Sequence, residues 1–164
     1  MLKTNDVAPQ EYRDAMARFA GAVHVITTDG QAGRRGTTVI AACSVSDNPP
    51  IVLVCLNRNN PKNEVFLQNG VFALNTLAAG HEDLSNAFSG LTGLPQEERF
   101  ALGEWEKLAT GAPTLVGALA VFDCQVIDSK ELATHRIYFG KVMALRIGAK
   151  LRPLLYHDRA YRVL

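Results

Sequence analysis

GTTVIAACSVSDNPPIVLVCLNRNNPKN, residues 36–63, decides how this chain is read. It is rich in Thr, Ser, small residues and amides, carries one Pro-Pro, and has almost no ionisable acid or base. Small side chains let backbone N–H groups approach a ligand closely, hydroxyls and amides hydrogen-bond to ring and phosphate oxygens, and Arg58 and Lys62 can neutralise a phosphate. A protein that offers cradling groups and few reactive ones leaves the hard chemistry to a bound cofactor. Residues 37–45 and 51–56 are β-branched and apolar and read as strands, with Asp47-Asn48-Pro49-Pro50 as the turn between them. Asn60-Pro61 has the chemistry of a helix start, Asn as cap and Pro in the first turn. Beside Arg58 and Lys62, that start reads as an anion site or, equally well on composition, as a solvated capped loop.

Working outward, residues 22–28 form a strand, and Asp29-Gly30 with Gly33 and Gly36 marks a hairpin into residue 37. Tyr12, Ala15, Met16 and Phe19 recur at i, i+3, i+4 and i+7, which predicts an amphipathic helix over 10–20. Downstream, Asn69-Gly70 ends a short helix, 71–77 is a strand, 81–88 a helix, and 96–100 a helical turn within an irregular stretch, 91–107. Two long strands follow. Ala120, Phe122, Cys124 and Val126 make one apolar face of the first, and Ile137, Phe139, Met143, Leu145 and Ile147 one face of the second, with Lys141 interrupting it. Six or more strands without regular strand–helix alternation predict a mainly β protein with short helices, built as an antiparallel barrel.

The 164 residues suit a single domain spanning 1–164, large enough to bury roughly 70% of its extended-chain surface. A formal charge of +1 and the lack of a basic stripe give no case for nucleic acid. Cys43, Cys55 and Cys124 are odd in number and widely spaced, as in a reducing cytoplasm. MLKTNDVAPQ has no apolar core of a signal peptide, and the strongly apolar run at 115–122 is too short to span a bilayer. The four histidines, His24, His81, His135 and His157, have no metal-ligand spacing. Neither G-x-S-x-G, G-x-G-x-x-G nor a Walker loop occurs.

Taken in order, several segments resemble the short-chain flavin reductase family. They are EYRDAMARFAGAVHVITTDG (11–30), GTTVIAACSVSDNPPIVLVCLNR (36–58), FALNTLAAGHEDLSNAFSG (72–90), ERF (98–100), Trp105, ATGAPTLVGALAVFDC (109–124) and LLYHDRAYRVL (154–164). Within the family the pattern is most similar to the reductase components of pyrimidine-ring-opening and 4-hydroxyphenylacetate oxygenases. The resemblance implies an FMN-binding split β-barrel, a homodimer, and hydride transfer from NADH, or alternatively NADPH, to FMN or FAD. Reduced flavin would go to a partner monooxygenase. It further implies that Thr37, Thr38 and Val39 line the flavin ring with Ser44 nearby. Asn57, Arg58, Lys62 and Asn63 would serve its phosphate side, Phe88 would wall the pocket, and His135 would position the nicotinamide. Three departures stand out: Ile40 where the family often has Ser, Ala133-Thr134-His135 in place of Gly-Asp-His, and Asn-Asn-Pro-Lys-Asn in place of a Ser/Thr-rich loop. Two other readings stay open: a reductase that retains flavin and reduces a cobalt corrinoid or ferric complex, and a flavin-binding module without turnover.

Overall fold

The computed structural model describes residues 6–164; the first five residues, part of the segment read above for a leader, lie outside the described residues. Its main element is a seven-stranded antiparallel sheet in the order β3-β2-β6-β9-β10-β5-β4. The strands are β2 (His24–Thr28), β3 (Arg35–Val39), β4 (Ala42–Asp47), β5 (Pro50–Asn57), β6 (Val71–Thr76), β9 (Ala120–Leu132) and β10 (His135–Ile147). β3 and β4 are consecutive in sequence, joined only by Ile40 and Ala41, yet they occupy opposite edges of the sheet. A two-residue link can connect the two edges only if the sheet curls round to bring them together. The result is a barrel whose last seam, between β3 and β4, carries no ladder. This is the split barrel that the sequence led us to expect.

The expected single strand over 37–45 is therefore two strands. The break at Ile40–Ala41 turns the chain from one edge to the other, with the Ala42 N–H bonded back to Ile40 O at 2.8 Å and Cys55 N–H to Ala41 O at 2.9 Å. Strand 22–28 is likewise divided, into β1 (Gly21–Ala22), which pairs with β11 (Leu154–His157), and β2. β11 and β12 (Ala160–Val163) form a hairpin whose turn residues Asp158 and Arg159 both have positive φ, 50° and 59°. That is the backbone twist of a two-residue β-hairpin turn. β7 (Trp105–Lys107) and β8 (Pro113–Leu115) make a small separate ribbon.

Two apolar clusters lie on either side of the sheet. Ile26, Val39, Val54, Phe66, Phe72 and Tyr138 fill the barrel; Val25, Ala73, Leu84, Phe88, Phe100 and Leu115 sit beneath the covering helices. Helix α2 (Glu64–Asn69) follows a 3₁₀ turn at Pro61–Asn63 and ends at Gly70, whose φ of 69° is the left-handed cap that Asn69-Gly70 predicted. Helices α3 (Glu82–Phe88) and α4 (Gln96–Phe100) cover the second cluster.

Helix α1 (Pro9–Met16) is shorter than the expected 10–20 and buries none of its residues, so its apolar stripe is not a core stripe. The second long strand has the apolar face that was expected, and it differs in which side it buries. Its apolar face is real, but Met143, Leu145 and Ile147 on it are exposed, whereas Tyr138 and Gly140 on the other face are buried. No helix among the described residues is long and apolar enough to cross a membrane.

Candidate active site

Where the β3–β4 seam opens, a cavity of about 700 Å³ lies between the barrel and the C-terminal hairpin. This is within the roughly 300–1,000 Å³ of small-molecule sites. β3 supplies Thr37, Thr38 and Val39 to its wall, the link supplies Ile40 and Ala41, and the end of β5 supplies Leu56 and Asn57. Asn60 and Asn63 close one end, Ser85 and Asn86 of α3 adjoin Thr38, and Tyr156, Arg159 and Tyr161 come from the hairpin. His135 reaches the wall because β10 pairs with β5 in a register that sets it opposite Asn57.

The wall is held by hydrogen bonds that leave little slack. Thr38 Oγ1 donates to Ser85 O at 2.6 Å, tying β3 to α3. The Tyr161 hydroxyl lies 2.7 Å from Ser85 Oγ and 2.9 Å from Asn86 Oδ1, tying the hairpin to the same helix. Asn63 is buried; its Nδ2 donates to Asn57 O at 2.9 Å and its Oδ1 accepts from Arg35 Nε at 3.0 Å. Asn60 Oδ1 caps the following turn by accepting the Lys62 N–H at 3.2 Å.

Gly36 explains how β3 is placed. A Cβ there would stand 2.5 Å from a carbon of the Phe88 ring, so only glycine allows the strand to lie against that ring. Phe88 is itself fully buried, edge-on to Phe100 at 5.0 Å and Trp105 at 5.8 Å between ring centres. The outward edge of β3 is closed by Gln96, which accepts the Gly36 N–H at 3.0 Å and donates to Gly36 O at 3.2 Å.

Of the residues singled out in the sequence, Thr37, Thr38, Val39, Asn57, Asn63 and His135 converge on this cavity. Phe88 stands behind the wall, where it supports Gly36. Ser44 faces a separate groove of about 340 Å³ with His24, Val52 and Leu145, because β4 leaves the cavity as soon as the link ends. Lys62 is exposed on the loop. Arg58 pairs with Glu131 at 2.9 Å and donates Nη1 to Ala133 O at 3.2 Å; it clamps the turn that carries Thr134 and His135. Within that turn, Thr134 Oγ1 and His135 Nδ1 are 2.8 Å apart.

Ser85, Asn86, Tyr156, Arg159 and Tyr161 also line the cavity and are not among the residues singled out from the sequence. Their signal lies in the paired aromatics and central Asp-Arg of YHDRAY, a hairpin pattern that spacing alone does not connect to a site 100 residues earlier.

The lining thus combines mostly neutral donors and acceptors with apolar side chains and one cation, Arg159, and among the described residues no carboxylate faces it. It is suited to a flat, amphipathic ring system and poorly equipped to move protons. The family model for the flavin reductase like domain matches residues 16–164. The chain belongs to the flavin reductase family. A relative from Methylorubrum extorquens, named FMN reductase (NADH) RutF 2, is 51% identical over 158 residues, covering 96% of this chain and 91% of that one. A solved structure described as a flavin reductase, from Haemophilus somnus, superposes with a TM-score of 0.92 at 41% identity over 96% of this chain and 100% of the other. BorF, the flavin reductase component of a bacterial two-component tryptophan halogenase, superposes with a TM-score of 0.88 at 27% identity, over 96% and 98%.

Proposed function

We propose that this flavin reductase uses NADH to reduce FMN and passes the reduced flavin to a partner monooxygenase. The observation that carries this reading is the convergence of Thr37–Val39, Asn57, Asn63 and His135 on one cavity of suitable size, in a chain about half identical to named FMN reductases (NADH). The donor set fits a flavin: amides and hydroxyls for its polar edge and ribityl chain, Val39, Ile40 and Leu56 for its apolar faces. Bound there, flavin supplies the redox chemistry by accepting a hydride from the nicotinamide.

The chain's own contribution is positioning. Thr38, fixed to Ser85, would set the wall on which the ring is to lie; Tyr161, fixed to Ser85 and Asn86, would continue that wall into the hairpin. Holding two reactants at reacting distance converts a bimolecular step into an effectively unimolecular one. His135, exposed on the cavity lining at a turn clamped by Arg58, would orient the nicotinamide rather than abstract a proton. Asn57 and Asn63 would serve the phosphate side; Lys62, exposed on the adjoining turn, would lend it positive charge, while Arg58, paired with Glu131, would act through the turn it clamps.

The chain is further read as a homodimer in the cytoplasm. The exposed stripe of Met143, Leu145 and Ile147, with Val45 and Ile127 also exposed, supports a self-association surface, and the free thiol of Cys43 suits a reducing compartment. Light scattering on the purified protein should give twice the chain mass; a single chain mass would remove the dimer.

The activity is tested by anaerobic NADH oxidation, followed at the nicotinamide absorbance, with FMN in large excess over protein. Many turnovers per protein molecule are expected. One stoichiometric reduction that then stalls would show that flavin is retained and would turn attention to another acceptor, such as a corrinoid cobalt or a ferric complex.

A further inference from the structure

We infer that Arg35, held by Asn63, selects phosphorylated flavins over unphosphorylated riboflavin at the cavity, an inference that rests on the flavin reading above. Arg35 opens β3 and is only 6% exposed. Buried charges are ordinarily paired, because an isolated one is costly in a medium of low polarity. Among the described residues no carboxylate pairs with Arg35. Its side-chain hydrogen bond goes to a neutral amide, Asn63 Oδ1, at 3.0 Å. Burial, and to a lesser degree the like charge of Arg99, lowers its pKa. The two glutamates of the neighbouring network are already engaged, Glu64 by Arg136 and Glu131 by Arg136 and Arg58. Arg34, next in the chain, stacks on the Phe100 ring at 3.8 Å and adds a further positive charge to this end of the strand.

The position of this uncompensated cation gives it a use. Asn63, the residue that holds it, lines the cavity, and so does Thr37, which shares Arg35's face of β3 two residues on. The guanidinium therefore lies one side chain from the cavity wall, at the end closed by Asn60 and Asn63. A ligand that brings a dianionic phosphate to that end supplies the counter-charge the protein lacks, and a fork of N–H donors suits phosphate oxygens. A flavin without phosphate does not.

The experiment is a pair of titrations, FMN and riboflavin, each followed by quenching of flavin fluorescence at low salt, on the wild type, Arg35→Met and Arg35→Lys. A charge-assisted hydrogen bond lost from a buried site corresponds to about a ten- to hundredfold weaker affinity. The expected result is that loss for FMN on Arg35→Met, with riboflavin changed less than about threefold, and partial recovery in Arg35→Lys. In the wild type, inorganic phosphate should compete with FMN and leave riboflavin untouched; if Arg35→Met does not fold, Arg35→Lys, which keeps the charge but not the fork of donors, should still weaken FMN and spare riboflavin. Equal losses for both flavins, or FMN binding indifferent to phosphate and to the substitution, would overturn the inference and leave Arg35 a structural residue. A wild-type protein that binds neither flavin would instead overturn the flavin reading itself, and this inference with it.

Discussion

Replacing Gly36 with Ala probes the connection between core packing and the candidate site. The new Cβ would lie 2.5 Å from one carbon of the Phe88 ring and 2.8 Å from the next, where ordinary contact begins near 3.4 Å, so strand and ring must separate by about 0.9 Å. Phe88 cannot simply rotate away, since Phe100 and Trp105 hold its edges. Overpacking of this kind costs about 1–3 kcal/mol. Against that, alanine restricts the unfolded chain and returns about 0.4–1 kcal/mol. The net loss is therefore about 1–2 kcal/mol, or roughly 2–8 °C in Tm for a chain of this size. The displacement also pulls β3 from Gln96 and from the Thr38–Ser85 bond, so FMN affinity should fall with stability. Thermal melts and FMN titrations of Gly36→Ala, Phe88→Leu and the double variant check this. Phe88→Leu trims the ring edge, so the double variant should be less destabilised than the two single changes summed, by about 1 kcal/mol. Strict additivity, or a Gly36→Ala protein with unchanged Tm and affinity, would refute the packing argument.

His24, partly buried and 3.1 Å from Thr76 Oγ1, has its pKa lowered by desolvation from 6.5 to about 4. The folded state thus refuses a proton that the unfolded chain accepts. Stability is intact above pH 6.5 and falls as pH drops toward 4, by about 3 kcal/mol in all. Urea melts should show that slope in the wild type and its loss in His24→Gln. Asp123, fully buried, accepts the Ala109 and Thr110 N–H groups at 2.7 and 2.8 Å and the Thr110 hydroxyl. Asp123→Ala leaves these donors unpaired and should cost about 3 kcal/mol or more, read as a Tm lower by about 10 °C. His135→Ala should raise the apparent KM for NADH while FMN still binds; an unchanged NADH dependence would count against its placement.

The fold was legible where local chemistry and burial agree. Asn60-Pro61, Asn69-Gly70 and the alternation of Phe122, Cys124 and Val126 each specify a structure that their own neighbours can satisfy, and each is found. Residues 37–45 misled because Ile40 and Ala41 are as strand-like as their neighbours. What breaks the strand there is closure of the barrel, a property of the whole sheet. The apolar face of β10 was legible, but not the side it takes. Ile137 to Ile147 alternate as a core face would, and pattern cannot say which side of a barrel is inside. In the site, Thr37, Thr38, Asn57 and Asn63 were legible because they cluster in one segment. Ser85, Asn86, Tyr156 and Tyr161 were not, because they join it only through tertiary contacts. Arg35 carried no signal until its burial without an acid could be seen.

The most direct test of the central claim is a crystal structure of the protein soaked or grown with FMN. The account predicts ring density along Thr37–Ala41 with the phosphate toward Asn60 and Asn63. Density instead in the other large groove, beneath α1 among Met16, Phe19, Ile40 and Cys43, would contradict it.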